Sequence, residues 1–171
     1  ENKSFIEITD DLTFLSNGKQ FIWTSARDGY NHIYLYNLDG TQVKQITSGK
    51  FEITHYYGFD EGSGTFYYQS TEMSPTEKNI YSITLTGKKT NLTPSRGVHN
   101  AEFSEGCKYF VDTYSSFGNP FTCTVVSNKG KTLRTLEDNR DMRAEMQKFR
   151  FGKYRFFSFK TSDQTELLGW M

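Results

Sequence analysis

The sequence predicts an all-β fold, a partial β-propeller of about three four-stranded antiparallel blades, and two observations carry that prediction. A β-rich unit recurs about every 44 residues, led by Phe14, Phe59 and Phe103 at separations of 45 and 44. Each copy then repeats one order of turn and strand signals. Four short strands at a period of roughly 40 to 50 residues are the pattern of propeller blades.

Behind each leading phenylalanine a glycine turn opens an aromatic strand: Asn17-Gly18-Lys19 before Phe21-Ile22-Trp23, Gly62-Ser63-Gly64 before Phe66-Tyr67-Tyr68, and Glu105-Gly106-Cys107 before Tyr109-Phe110-Val111. Aromatic and β-branched residues favour the pleated strand, and glycine supplies the turn conformations that other residues resist. A second strand follows in each copy, His32 to Leu38, Asn79 to Leu85 and Phe121 to Val126, closing on Asp39-Gly40, Thr86-Gly87 and Asn128-Lys129-Gly130. A last short strand ends each copy at Val43 to Ile46, Thr90 to Leu92 and Thr132 to Leu136. Propellers typically close at about four to eight blades, and fewer leave raw sheet edges. The chain is therefore expected to be a piece of something larger, with blades over 1–137.

After Leu136 the period changes. Asp138 or Asn139 is placed to cap a short helix, and Met142, Met146 and Phe149 fall at i, i+4 and i+7 on one face, which makes 138–151 a helical linker. That face either packs on the chain's own blades or meets a neighbouring domain. Tyr154 to Thr161 alternates as a strand, Ser162-Asp163-Gln164-Thr165 supplies a turn, and Glu166 to Met171 begins a partner strand.

Composition excludes some roles. A chain of 171 residues with 35% apolar and 16% aromatic residues supports a sizeable core. Twenty basic and twenty acidic residues balance without a block of like charge, so no nucleic-acid or anionic-membrane partner is expected. No run of about 18 apolar residues is present to span a bilayer. Residue 1 is Glu and no signal-peptide pattern follows, so the true start and any targeting segment are expected upstream. A hairpin register that pairs Cys123 near Asp112 puts Cys107 several residues along the ladder, roughly 15 Å away at about 3.3 Å per residue. A disulfide needs Cα atoms within about 7 Å, so no Cys107 to Cys123 bridge is expected.

Motifs for chemistry are few. Gly62-Ser63-Gly64 lacks the spacing of a nucleophile elbow and reads as a turn. His99, Asp112 and Ser115 hold triad residue types within one blade, a coincidence that β repeats produce easily, so no catalytic residue is assigned. His32, His55 and His99 have no metal-ligand spacing among themselves or with the cysteines. They read as local hydrogen-bonding residues, and neither a metal nor a cofactor is expected. Asn91-Leu92-Thr93 and Asn2-Lys3-Ser4 match the glycosylation acceptor pattern, which has weight only in a eukaryotic secreted protein. The largely polar nine-residue excursion from Ser70 to Lys78 exceeds what a hairpin needs; it forms a plain surface loop or reaches into a funnel or over a neighbour.

Several segments resemble one family. Ser25-Ala26-Arg27-Asp28-Gly29-Tyr30-Asn31-His32-Ile33-Tyr34-Leu35-Tyr36 is similar to the S-x-x-D-G-x-x-H-I-Y-x-Y segment in the propeller of dipeptidyl peptidase IV-like serine peptidases, of the prolyl oligopeptidase family. Ser70 to Gly87 resembles the family's S-x-E-x-S-P-x-E-x-x-I-Y-x-I-x-L-x-G, and Gly97 to Ser104 with Tyr109 to Ser115 adds a third stretch. The tail, Phe156 to Asp163 and Glu166 to Met171, is similar to the strand pair that opens the family's α/β-hydrolase domain, here 152–171. The resemblance runs from about residue 10 to residue 171 in the family's order.

What it implies is an exopeptidase that removes dipeptides from N-termini, usually after Pro or Ala, in a periplasmic, cell-surface or secreted setting. Its triad would lie beyond Met171. The paired glutamates that grip the substrate's amino group would lie before residue 1, and no Glu-Glu pair occurs here. No substrate-binding residue is therefore carried over. Gln164 departs from the family's usual turn glycine. The implied role is the C-terminal part of the propeller, gating peptide N-termini toward a hydrolase domain, with the peptide substrates, that domain and a second copy of the chain as expected partners. The competing expectations are a prolyl tripeptidyl peptidase or related exopeptidase, and a non-catalytic propeller that binds proteins.

Overall fold

The computed structural model describes residues 10–152 and 154–171. Twelve strands form three four-stranded sheets, each a meander paired in chain order. The first holds β1 (Thr13–Phe14), β2 (Gln20–Ser25), β3 (His32–Asn37) and β4 (Gln42–Gln45); the second holds β5 (Ile53–Asp60), β6 (Thr65–Ser70), β7 (Asn79–Thr84) and β8 (Lys89–Asn91). The third holds β9 (Val98–Phe103), β10 (Tyr109–Ser116), β11 (Asn119–Ser127) and β12 (Thr132–Glu137). These are three consecutive blades of a β-propeller.

The repeat is visible in the register. Phe14 pairs with Phe21, Phe59 with Phe66 and Phe103 with Phe110, so the three leading phenylalanines hold equivalent positions. Directly paired residues share a face of the sheet, and that face sets what packs between blades. Between blades 1 and 2, Ile22, Ile33, Leu35 and Ile46 meet Tyr56, Phe66, Tyr68, Tyr81 and Ile83. Between blades 2 and 3, Tyr67, Ile80 and Leu92 meet Ala101, Cys107, Phe110 and Val126.

Equivalence of position does not bring equal burial. Phe14 touches the ring of Phe21 at a centroid distance of 6.0 Å, yet it is 64% exposed. Phe59 and Phe103 are half-buried at the margins of the two seams. The buried members are their partners one strand further in, Phe66 and Phe110. The leading strand is the edge of its sheet, so its ring is covered from fewer sides than a ring on the second strand.

The linker helix is shorter than its apolar pattern. Helix α1 spans Arg140–Met146, and Phe149 follows it in a turn. Asn139 occupies the cap position in the left-handed region (φ 50°) without a side-chain cap bond, while the Asp138 carboxylate accepts the Arg140 N–H at 3.0 Å. That backbone bond holds the Asp138 carboxyl below the usual range. Met142 and Phe149 are exposed while Met146 between them is half-buried, so the stripe is only partly covered.

A separate hairpin, β13 (Phe156–Lys160) with β14 (Glu166–Trp170), closes the described chain. Its turn places Gln164 at φ 67°, a conformation in which L-residues pay about 1–2 kcal/mol and glycine little. Cys123 pairs with Thr113, and both cysteines are free.

Replacing Phe66 by Ala is expected to cost about 3–5 kcal/mol, because the ring is fully buried and the seam cannot collapse around its absence. Replacing the exposed leading phenylalanine of blade 1, Phe14, is expected to cost under about 1 kcal/mol. Denaturant unfolding of the two variants measures both, and similar losses would contradict the seam assignment.

Candidate functional site

The loops β6–β7, β8–β9 and β10–β11 leave the blades on one side, and that side carries a set of buried side-chain hydrogen bonds. The first anchoring element is a threonine after the last strand of each of the first two blades. Thr47 Oγ1 accepts the Ile33 N–H at 3.0 Å, and Thr93 Oγ1 accepts the Ile80 N–H at 2.8 Å. All four residues are buried. The two threonines sit 46 residues apart, each after an aliphatic residue, Ile46 and Leu92.

The first residue of the third strand completes each latch. His32 directs Nε2 at the Gly49 carbonyl (3.0 Å), which only accepts, so Nε2 donates and Nδ1 takes the Thr47 hydroxyl at 3.2 Å. In blade 2 the same position is Asn79, whose amide donates to the carbonyls of Thr93 and Ser95. His55 instead lies exposed, its ring 4.6 Å from that of Tyr57. No group of three or more His, Cys, Asp or Glu with metal-holding geometry occurs among the described residues.

Of the three triad residue types in blade 3, the fold joins two. His99 Nδ1 lies 2.9 Å from one Asp112 carboxylate oxygen and 3.1 Å from the other, in a buried position. Ser115 lies on the same strand as Asp112, one residue past Tyr114, the partner of His99; paired with Val98, it takes the opposite face of the sheet. The hydroxyl near His99 belongs to Ser95, at 3.5 Å from Nε2, but Nε2 also faces the Ser95 carbonyl at 3.2 Å. The Ser95 hydroxyl stands at the far limit of hydrogen-bonding distance from Nε2, which the Ser95 carbonyl faces more closely, so this group is a tie and not an aligned nucleophile and base.

The tie secures the wall of a cleft. The His99 ring stacks on Tyr114 (4.4 Å, 23°), whose hydroxyl donates to the Arg96 carbonyl at 2.9 Å. Gly97 follows with φ 137°, and a Cβ there would lie 2.5 Å from the Ser115 carbonyl oxygen, so only glycine permits this approach. Across the blade seam Lys78 N–H donates to Gly97 O (3.0 Å) and His99 N–H to Lys78 O (2.8 Å). The end of the loop, Glu77 and Lys78, thus reaches the neighbouring blade, one of the placements its length allowed. Glu77 in that loop accepts Arg96 Nε at 2.9 Å. Gln69 donates to the His99 carbonyl and to Asn100 Oδ1 (3.0 Å). The Tyr57 phenol, accepting the Ala101 N–H at 3.2 Å, is pushed up to about 12, chiefly by burial, and stays neutral.

The hairpin β13–β14 forms the other wall. Phe117, on the β10–β11 loop, packs against Tyr154 at 3.7 Å and edge-on to Phe156 at 6.2 Å. The cleft between them has a volume of 790 Å³ and is lined by Glu77, Arg96, Gly97, Ser115, Phe117 and Phe157 among others.

Known proteins are similar to this chain in sequence and fold. Residues 1–121 match the family model described as the dipeptidyl peptidase IV (DPP IV) N-terminal region. The chain belongs to that family. Dipeptidyl peptidase 4 of Arthroderma otae is 28% identical over 149 residues, which cover 84% of this chain and 19% of that protein. Dipeptidyl peptidase 4 of Trichophyton rubrum is 27% identical over 152 residues, again 84% and 19%. The crystal structure of Porphyromonas gingivalis dipeptidyl peptidase 4 superposes with a TM-score of 0.91 at 38% identity, over 99% of this chain and 24% of that one. The chain spans about a fifth of the length of these curated relatives, as a DPP IV-like propeller region. Its relatives by name are peptidases, and no described helix is long and apolar enough to cross a membrane.

Neither the threonine latches nor the His99–Asp112 tie was assigned from sequence. The aliphatic-Thr pairs at one phase of the repeat were the available signal for the first. Of the two glycosylation patterns, Asn2-Lys3-Ser4 lies outside the described residues. In the other, the Asn91 amide faces Met73 Sδ and the Tyr81 hydroxyl, both at 3.4 Å, and the Thr93 hydroxyl is committed to Ile80.

A tie and a triad respond differently to substitution. Asp112→Ala strips a buried ring nitrogen of its charged acceptor and is expected to cost about 1–3 kcal/mol. Ser115→Ala removes an exposed hydroxyl and is expected to stay within about 0.5 kcal/mol. Thermal unfolding of both variants compares them; a neutral Asp112→Ala would mean the pair does not hold the seam.

Proposed function

We propose that the chain is the propeller wall of a DPP IV-like serine exopeptidase, narrowing the route by which peptide N-termini reach a catalytic domain that this chain does not contain. In this reading residues 1–137 are blades, 138–151 a linker and 152–171 the opening strands of an α/β-hydrolase domain. The observation that supports it is the seating of the β13–β14 hairpin on the loop rim through Phe117, beside a cleft between the two. A hairpin whose Phe156, Leu168 and Trp170 are all exposed has little core of its own and needs a larger body to cover it. A rim tied down by His99, Gly97 and Lys78 is rigid. A rigid, narrow opening selects by size, admitting flexible chain ends and turning folded segments away without any chemical discrimination. We also infer that unpaired blade faces let the chain associate with a copy of itself.

The test has two arms. The chain of 171 residues is expected to hydrolyse no Gly-Pro or Ala-Pro chromogenic substrate, and stoichiometric serine-directed labelling of it would overturn the assignment of chemistry elsewhere. In the whole protein that carries this chain, Phe117→Ala is expected to loosen the rim and raise cleavage of N-termini on folded proteins severalfold, with short peptides little affected. Unchanged selectivity would remove the gating role.

A further inference from the structure

A second cavity, of 390 Å³, lies at the strand ends remote from the cleft, between blade 2 and the β11–β12 turn of blade 3. Blade 2 has a blade packed on each of its faces, so both walls belong to the interior of the described fold. The difference between the two seams opens it. By register, Leu35 and Lys44 of blade 1 correspond to Ser82 and Thr90 of blade 2. In the first seam Leu35 is buried in apolar packing, and Lys44 crosses to the next blade, its Nζ donating to the Leu85 carbonyl at 2.6 Å. In the second seam the side chains in those two places are a serine and a threonine, too short to fill the space or to span it. The facing turn has no room to move in, because a Cβ on its Gly130 would already lie 3.0 Å from the Leu92 carbonyl oxygen.

The free groups of this cavity are of one chemical kind. Ser82 is nine-tenths buried, and neither its hydroxyl nor that of Thr90 beside it has a partner among the described residues. Lys88 and Lys129 enter the lining from the turns of blades 2 and 3, and their ammonium groups have no ion-pair partner among the described residues. The one acid of the lining, Asp60, has both oxygens engaged, by the Gly62 N–H at 3.0 Å and the Ser63 hydroxyl at 2.6 Å. Buried polar groups are ordinarily paired, and here the missing partner is an acceptor of negative charge.

We propose that this cavity binds a small oxyanion ester, a phosphate or sulfate group carried on a polyhydroxylated body of sugar size. Lys88 and Lys129 hold the anionic oxygens from the two walls, as point charges that need no fixed fork geometry. The Ser82 and Thr90 hydroxyls bond the body of the ligand, and the volume exceeds what a bare anion needs and falls within the range of small-molecule sites. The site is independent of the peptidase reading, since it opens at the opposite strand ends from the cleft and uses no residue of the rim.

Calorimetric titration of the whole protein that carries this chain reads the result, with glucose 6-phosphate, a sulfated disaccharide, glucose and inorganic phosphate as probes. At least one of the two esters is expected to bind about tenfold or more tightly than glucose or inorganic phosphate do, because only the esters engage both the lysines and the hydroxyls. Preference for glucose 6-phosphate assigns a free phosphate ester as the ligand, and preference for the disaccharide assigns a sulfated glycan. Ser82→Leu restores the residue that fills the first seam and is expected to abolish binding. Lys88→Ala and Lys129→Ala, at exposed positions that do not threaten folding, are each expected to weaken the ester by about tenfold. They carry the test alone if Ser82→Leu does not fold. Absence of binding by both esters overturns the proposal, as does binding that the two lysine variants leave unchanged or glucose binding as tight as that of its phosphate ester.

Discussion

Everything in this chain depends on the seam between sheets, where an aromatic face of one blade meets an aliphatic face of the next. A four-stranded meander has two faces and no interior, and a sheet of that size is not stable with both faces in water. Packing Phe66, Tyr68 and Tyr81 on Ile22, Ile33 and Leu35 removes the largest apolar side chains from water at once, at roughly 1.5–3 kcal/mol for each fully buried side chain. The threonine latches follow from this. Once Ile33 and Ile80 are buried their N–H groups cannot reach solvent, and the Thr47 and Thr93 hydroxyls supply the acceptor.

The second seam differs in kind. Where blades 1 and 2 carry Trp23 and Tyr68, the equivalent position of blade 3 is Asp112, bound to His99. Buried polar ties add little to net stability, but they are costly to break and accept few alternative geometries. The aliphatic seam holds the blades together, and the polar seam sets the position of one turn, residues 94–97, against the loop that carries Glu77. That turn is part of the cleft wall, so the geometry of the rim is determined by hydrogen bonds with defined directions and not by apolar contact alone.

Much of the fold was legible because it is periodic. The phase of Phe14, Phe59 and Phe103 located the three blades, and the register confirms their equivalence. Burial was less legible, since the same phase places one ring at an uncovered edge and others within seams. The helix boundary is less legible, because Met142, Met146 and Phe149 follow helical spacing while the backbone leaves the helix at Met146. Gln164 was recognised as standing at a glycine position, and its φ of 67° gives the physical reason. The candidate site was least legible. His99 and Asp112 are 13 residues apart in sequence and meet only because β9 and β10 pair, and the third member of the group, Ser95, lies on a connection between blades whose path no local pattern specifies.

Amide hydrogen exchange, residue by residue, tests most directly whether the seams organise the molecule. The amides of Ile33 and Ile80 lie in different blades, and both donate to buried threonine hydroxyls. If the blades stand or fall together, the two exchange only through global unfolding and with the same free energy, while the amides of β13 and β14 exchange much faster through local opening. Distinct free energies for Ile33 and Ile80, or a hairpin protected as strongly as the blades, would contradict the account.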